Sequence, residues 1–189
     1  MKRLYAILFI LLWVTGCSAE NETEKEVKTS TSIEQQTAVK ASEANKMPKA
    51  MPGNFNFMVR FGYGEVNKNE INTFQGTVTK DLIMNGTASA KITLTVDEMR
   101  SIYEKMREIN IMGKKELVPA KINCEATPFN EDSWEIHVNG ETNQFSWSDQ
   151  YCDPTSDAKQ LLELRNFIQH IVAEKEEYKK LPEAEGGYE

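Results

Sequence analysis

The stretch "TVTKDLIMNGTASAKITLTVDEM", residues 77–99, joins two strand patterns, a turn and the start of a helix. Residues 77–84 are rich in β-branched and apolar side chains, and Asn85-Gly86 is the strongest short signal for a tight β-hairpin. Residues 88–94 then alternate apolar and polar side chains, as a half-buried strand does. This stretch therefore predicts an antiparallel strand pair that leads directly into a helix.

The start of that helix is marked by Thr95 and Glu98. The two fit a capping box, in which each side chain accepts a hydrogen bond from the other residue's backbone amide. The residues that follow place one apolar face on a helix of 3.6-residue period: Met99, Ile102, Tyr103, Met106 and Ile109. We expect this face to pack against the sheet.

Similar patterns lie on both sides of this stretch. Phe55–Tyr63 alternates strictly, Ile71–Gln75 can return as a second strand, and two further strands flank Asn139-Gly140. A last helix is predicted to open at Asp153-Pro154, with proline at its first position, and to run to about Tyr178. The order β-β-β-β-α-β-β-α predicts an α+β domain, an antiparallel sheet with two helices packed on one face.

The N-terminus combines a basic start at Lys2 and Arg3 with an apolar run, Leu4–Val14, that is too short to span a membrane comfortably. This pattern is typical of a secretory signal peptide. The run ends in Val14-Thr15-Gly16-Cys17, which resembles the lipobox of bacterial lipoproteins. That resemblance implies cleavage before Cys17 and transfer of a diacylglycerol to its thiol. The alternative is an ordinary signal peptide that is cut elsewhere.

These patterns divide the chain into four parts. Residues 1–16 are the predicted lipoprotein signal peptide, and 17–53 are the lipidated cysteine with a flexible tether rich in Glu, Lys, Ser and Thr. Residues 54–181 form the predicted single α+β domain, and 182–189 are expected to be a loose C-terminal tail. The protein is thus expected on the cell membrane, lipid-anchored and facing the extracytoplasmic side.

Net charge limits the partners of the mature chain. Removal of residues 1–16 discards Lys2 and Arg3, so the 22 basic residues become 20 against 29 acidic ones and the net charge of −7 becomes −9. Nucleic-acid binding depends on Lys and Arg that neutralise phosphates, so no nucleic-acid partner is expected. The acyl groups on Cys17 must then supply the membrane affinity.

The chain has three cysteines. If Cys17 carries lipid, Cys124 and Cys152 remain as a pair in an oxidising compartment, where disulfides persist. The pair would close a loop of about 29 residues, worth roughly 3–4 kcal/mol on the chain-entropy model. Two free thiols or a redox-active pair are the alternatives, although the C-x-x-C spacing of a catalytic dithiol is absent.

No catalytic residue, metal site or cofactor site is predicted. His137 and His170 lack a metal-ligand spacing to another His or Cys. The carboxylates of Glu131, Asp132, Asp149 and Asp153 could in principle contribute acid–base chemistry, but solvated loop positions are the simpler interpretation. One cluster of aromatic residues close to the cysteines is a candidate binding surface: Trp134, Phe145, Trp147 and Tyr151. Burial of such side chains, where a two-stranded unit covers a helix, is the more common arrangement.

Two further stretches, "NTFQGTVTKDLI" (Asn72–Ile83) and "EEYKKLPEAEGGYE" (Glu176–Glu189), resemble a group of small lipoproteins of Bacillus-like Gram-positive bacteria. The likeness covers most of residues 55–189. It implies a compartment and a fold, but no activity and no site.

The sequence therefore favours a membrane-anchored, non-enzymatic binding or accessory domain, with an unknown protein, peptide or envelope component as its partner. An envelope hydrolase or a thiol-redox enzyme that uses the loop carboxylates or Cys124/Cys152 is the alternative. A purely structural envelope protein is a third possibility.

Overall fold

A computed structural model of the protein describes residues 44–188, which belong to one compact unit. The predicted signal peptide, Cys17 and most of the predicted tether lie outside these residues. The strands are β1 (Asn56–Tyr63), β2 (Asn69–Asn72), β3 (Thr77–Asp81), β4 (Thr87–Lys91), β5 (Asn130–Val138) and β6 (Glu141–Ser148). The helices are α1 (Val96–Glu108), α2 (Ser156–Ala173) and the single-turn α3 (Glu176–Lys179), and a 3-10 turn spans Gly64–Val66.

The six strands form one antiparallel sheet in the order β4-β3-β2-β1-β5-β6. The predicted α+β class is confirmed, and α1 and α2 follow the strand runs as expected. In the middle of the sheet, Val59 lies opposite Ile71 of β2 and Trp134 of β5. The side chains on this face and those of the helices share one core, which includes Phe57, Val59, Ile102, Met106, Ile136, Leu161 and Ile168.

The start of α1 matches its prediction. Thr95 Oγ1 accepts from the Glu98 amide at 3.2 Å, and Glu98 Oε2 accepts from the Thr95 amide at 2.7 Å. Lys175 also donates to the Glu98 carboxylate at 2.6 Å. Burial pushes the pKa of Glu98 upward, but the hydrogen bonds from Lys175 and Thr95 outweigh it and hold the pKa below its usual value. The capping box therefore also connects α1 to Lys175, just beyond the end of α2.

The two Asn-Gly turns differ. Asn139 and Gly140 have φ angles of 53° and 87°, which fit the predicted tight hairpin between β5 and β6. At Asn85-Gly86 the tight-turn prediction is wrong, because the positive angles fall on Ile83 (59°) and Gly86 (74°). The Leu82 amide donates to the Gly86 carbonyl oxygen at 2.8 Å, so residues 82–86 form a wider loop.

The last helix also differs from its prediction. It begins at Ser156 rather than at Pro154, because Thr155 is the N-cap and its Oγ1 accepts from the Ala158 amide at 3.1 Å. It ends at Ala173, and α3 is a separate turn rather than its continuation. A capping hydroxyl decided the boundary where proline alone suggested an earlier one.

The domain begins earlier than predicted. Met47 is buried in the core, the Tyr103 hydroxyl donates to the Pro48 carbonyl oxygen at 2.7 Å, and Asn45 Nδ2 donates to the Arg107 carbonyl oxygen at 2.6 Å. Residues 45–48, which composition assigns to the tether, thus belong to the folded domain and contact α1. This contact could not be predicted from composition, because the segment has few apolar residues among many polar ones.

The C-terminal tail is docked rather than loose. The Tyr188 hydroxyl donates to Asp81 Oδ2 at 2.6 Å and accepts from Lys68 Nζ at 3.1 Å, while its ring stacks on Tyr63 at 4.5 Å between centroids. Glu185 forms a parallel bridge with Ile83. The tail therefore fastens the end of the sheet where β1 and β3 finish and β2 begins.

No helix within residues 44–188 is both long enough and apolar enough to cross a membrane.

Candidate functional site

The four aromatic residues of the candidate binding surface do not form one exposed surface. Trp134 is 2% exposed and Trp147 is 6% exposed, and the Trp134 ring stacks with Phe145 at 6.4 Å between centroids. Both tryptophans belong to the core that the helices cover, which agrees with the interpretation of buried aromatic side chains and not with that of an exposed surface. Phe145 and Tyr151 are half-buried.

A cavity of about 240 Å³ nevertheless lies beside β6, and two of these aromatic residues line it. We call it the β6-edge pocket. Trp147 and Tyr151 contribute to it together with Leu117 and Val118 of the long connection between α1 and β5. Val118 is 61% exposed. The polar part of the lining includes Glu131, Ser146, Ser148 and Gln150. The apolar part from residues 117–118 was missed in the sequence, because this connection has no periodicity.

The disulfide between Cys124 and Cys152 is present, with 5.5 Å between the Cα atoms. It fastens residues 124–126 against 150–152. The Ala126 amide donates to the Gln150 carbonyl oxygen at 2.7 Å, and the Cys152 amide donates to the Cys124 carbonyl oxygen at 3.3 Å. These residues pair in the antiparallel sense, as the bridge between Glu125 and Tyr151 shows. The bond therefore holds a short stretch of chain against the continuation of β6.

The outer edge of β6 is open along most of its length. In a two-residue hairpin the residues that flank the turn exchange backbone hydrogen bonds, and here these are Val138 and Glu141. Because bonded pairs alternate along an antiparallel ladder, the odd-numbered residues of β6 bond to β5. The backbone N–H and C=O groups that point outward, with no bonding partner in the described part of the chain, belong to Thr142, Gln144, Ser146 and Ser148.

A second cavity, of about 290 Å³, lies beside the β2–β3 turn and the start of α1. Its polar wall is formed by Asn56, Asn72 and Thr73, and its apolar wall by Leu94 and Met99. Thr73 Oγ1 lies 3.2 Å from Asn56 Oδ1 and 2.8 Å from the Phe57 amide nitrogen, so the polar wall already satisfies much of its own hydrogen bonding. This cavity could hold a small uncharged group, but it carries no residue suited to catalysis.

The carboxylates that the sequence offered as acid–base candidates do not form one site. Asp132 is 1% exposed and pairs with Arg165 Nε of α2 at 3.3 Å. Burial raises the pKa of Asp132 from its usual 3.8 to about 6, against the lowering effect of Arg165. Asp149 accepts from Asn130 Nδ2 at 2.9 Å, and Asp153 is exposed. Since a substrate cannot reach Asp132, its raised pKa reflects structure rather than an acid–base role.

The histidines lie apart from these groups. His137 is on the sheet face opposite Ile136 and Val138, as predicted, and its Nδ1 lies 3.2 Å from Thr142 Oγ1. His170 is exposed on α2. Among the residues that the structure describes, no group of three His, Cys, Asp or Glu side chains could hold a metal ion.

The chain was compared with protein-family models, with curated proteins and with solved structures, and none of the three comparisons gave a match. A role must therefore be inferred from the residues themselves.

Proposed function

We propose that the protein is an extracytoplasmic lipoprotein, held on the membrane by a diacylglyceryl group on Cys17, whose folded domain is a non-enzymatic binding module. The observation that carries the anchor is the motif Val14-Thr15-Gly16-Cys17 directly after an apolar run. The disulfide supports it, since Cys124 and Cys152 are joined to each other and Cys17 remains as the third cysteine.

The binding role is supported by the β6-edge pocket. Exposed Val118 and half-buried Tyr151 border a concave surface in which apolar and polar groups are mixed, which is typical of recognition sites. The partner is a protein, a peptide or an envelope component. A nucleic acid is disfavoured by the net charge of −9 that remains after Lys2 and Arg3 are removed from a chain of net charge −7.

The alternative of a hydrolase or a thiol-redox enzyme has less support. Cys124 and Cys152 form a closed disulfide. Within residues 44–188 the one carboxyl with a strongly raised pKa is that of Asp132, which is buried and paired with Arg165 of α2. No observation specifically favours this alternative.

Membrane fractionation of the Cys17→Ala variant tests the anchor. The variant should stay unprocessed or be released from the membrane, because the thiol that receives the lipid is gone. The double variant Cys124→Ala/Cys152→Ala is the matched control, since it also replaces cysteines but should remain processed and membrane-bound. Normal processing and retention of Cys17→Ala would contradict the anchor.

Crosslinking in native membranes tests the binding role. The full chain and a control that ends at residue 44 share the signal peptide, Cys17 and most of the tether, so they differ in the folded domain. We expect crosslinked partners on the full chain beyond those on the control. Equal retention on both would remove the main support for a binding domain.

A further inference from the structure

The two edges of the sheet differ in how well they resist pairing with another strand. β4 has five residues and ends in Lys91, and short strands with lysine are common protection against edge-to-edge pairing. β6 has eight residues, contains neither lysine nor proline, and carries its only charge at Glu141. An exposed, long edge without these protections is a template for an added strand.

The chain already uses this edge in that way. Residues 124–126 pair in the antiparallel sense with 150–152, immediately beyond the end of β6, and the disulfide holds them there. The outward backbone groups of Thr142 to Ser148 continue the same row and have no partner within residues 44–188. A peptide bound there would therefore extend an interaction that the fold itself makes.

The β6-edge pocket lies where a side chain of such a peptide would point. Ser146 and Ser148 belong both to the outward-facing row and to the lining of the pocket, whose apolar wall includes Val118. In strand addition the main chain supplies affinity, and pockets for alternate side chains supply specificity. A volume of about 240 Å³ is large enough to admit an aliphatic side chain.

The charged side chains of β5 and β6 are acidic. Glu131 lies opposite Ser148 and Glu135 lies opposite Gln144, while Glu141 begins the strand. Gln144 donates to Glu135 at 3.0 Å, an interaction between a neutral group and a carboxylate, so it leaves the negative charge in place. On β1, which lies beyond β5 in the sheet, Arg60 is already paired with Glu70 at 2.7 Å. Charge complementarity thus favours a basic segment.

From these observations we propose that β6 is a strand-addition site for an extended basic peptide segment of a partner protein. The segment pairs in the antiparallel sense with residues 142–148 and places one aliphatic side chain in the β6-edge pocket. This inference rests on the proposed binding role of the domain and adds the chemistry of the partner.

Fluorescence anisotropy with the full chain in detergent tests this site. The probe is a fluorescein-labelled peptide of alternating valine and lysine. A valine–glutamate peptide reverses the charge, and a proline–lysine peptide keeps the charge but lacks strand-forming N–H groups. We expect saturable binding of the first probe and at least roughly tenfold weaker binding of the other two, a difference of about 1.4 kcal/mol each.

Two matched proline variants test which edge of the sheet binds the peptide. Ser146→Pro removes an outward N–H from β6, and Ser89→Pro removes an outward N–H from β4, the other edge. Both serines lose a similar 2.8 Å hydroxyl contact, with Ser133 and Thr79 respectively. Proline is tolerated on an edge strand where its missing N–H faces solvent. We expect Ser146→Pro to weaken valine–lysine binding at least roughly tenfold and Ser89→Pro to leave it unchanged.

Amide hydrogen exchange of the unmodified protein tests the same site without a substitution, so it applies even if Ser146→Pro does not fold. The amides of Gln144 and Ser146 should become protected when the valine–lysine peptide is added. Protection of these amides with rising protein concentration alone would identify a second copy as the occupant and overturn the proposal, as would equal binding of all three peptides. If no peptide binds while membrane crosslinking still depends on the domain, this inference fails and the binding role stands.

Discussion

Asp132 is a single buried carboxylate in the core, and its environment determines its pKa. Its carboxylate lies among apolar side chains and reaches one cation, Arg165, whose guanidinium also lies 5.2 Å from the centre of the Phe61 ring. Burial of a carboxylate disfavours its charged form, and a single partner does not fully compensate. The sequence offered no signal for this pair, because Asp132 and Arg165 lie on separate elements far apart in the chain.

The raised pKa of Asp132 predicts how the free energy of unfolding changes with pH. The native pKa, about 6, is above the usual 3.8, so the native state binds more protons between these values and stability falls as pH rises through this range. Full ionisation costs about 3 kcal/mol relative to the protonated form. The difference in free energy of unfolding between the wild type and Asp132→Asn should therefore shift by that amount between about pH 3.5 and pH 7.

Urea unfolding at several pH values measures this difference. Taking the difference removes the contribution of other carboxylates, such as Glu98, whose lowered pKa acts in the opposite direction. A difference that is flat with pH, or that grows in favour of the wild type as pH rises, would show that Asp132 is not held as described.

Tyr188 is the second residue whose contacts lead to a prediction. Its hydroxyl bonds to Asp81, which is itself buried, and to Lys68. Tyr188→Phe keeps the ring stacked on Tyr63 but leaves a buried carboxylate with one bond fewer, so we expect a loss of about 1–3 kcal/mol in the free energy of unfolding. Urea denaturation measures it.

Tyr151→Phe is the control for this variant. The Tyr151 hydroxyl has no hydrogen bond to any residue in the described range, so its removal should change stability by less than about 0.5 kcal/mol. Equal effects of the two substitutions would contradict the docked tail.

Among the helices and strands, features that depend on residues close in the chain were predicted from the sequence, whereas features that depend on long-range contacts were not. Period-two alternation located β1, β4, β5 and β6, and the capping box at Thr95 located α1, because each signal depends on residues that are close in the chain. The second strand is Asn69–Asn72 rather than the predicted Ile71–Gln75. The tight turn at Asn85-Gly86 failed because Asp81 Oδ1 accepts from the Ile83 amide at 2.8 Å and the tail bridges Ile83 from Glu185. Composition alone could not foresee that the tail would reach this loop.

The disulfide is an element-scale contact with its own prediction. It closes a loop with a sequence separation of 28 residues, so the Cys124→Ser/Cys152→Ser variant should lose roughly 3–4 kcal/mol in free energy of unfolding. The core lies elsewhere, so the fold should survive. The Ala126 amide, which bonds to Gln150, should also lose its protection against hydrogen exchange.

Thermal and chemical denaturation measure the first effect, and amide exchange measures the second. The Leu82 amide, which donates within the loop after β3, serves as an internal reference that should not change. Unchanged protection of Ala126 would mean that residues 124–126 do not need the disulfide to stay against β6.

At the scale of the whole molecule, one sheet face meets the helices and the other is largely polar. Cross-strand pairs on the polar face include Thr79 with Ser89 and Ser133 with Ser146. The class of this architecture followed from the order of elements in the sequence. The candidate site could be predicted from the sequence only in part. Trp147 and Tyr151 were predicted as candidate binding residues, whereas the outward-facing backbone of β6 and the pocket wall at Val118 depend on tertiary packing.

For the whole molecule, we propose that this domain works at a membrane surface, held there through Cys17. Mass spectrometry of the N-terminal peptide of the protein recovered from membranes tests it most directly. We expect a chain that begins at Cys17 with a diacylglyceryl group on its sulfur. A chain that begins elsewhere, or an unmodified Cys17 thiol, would contradict it.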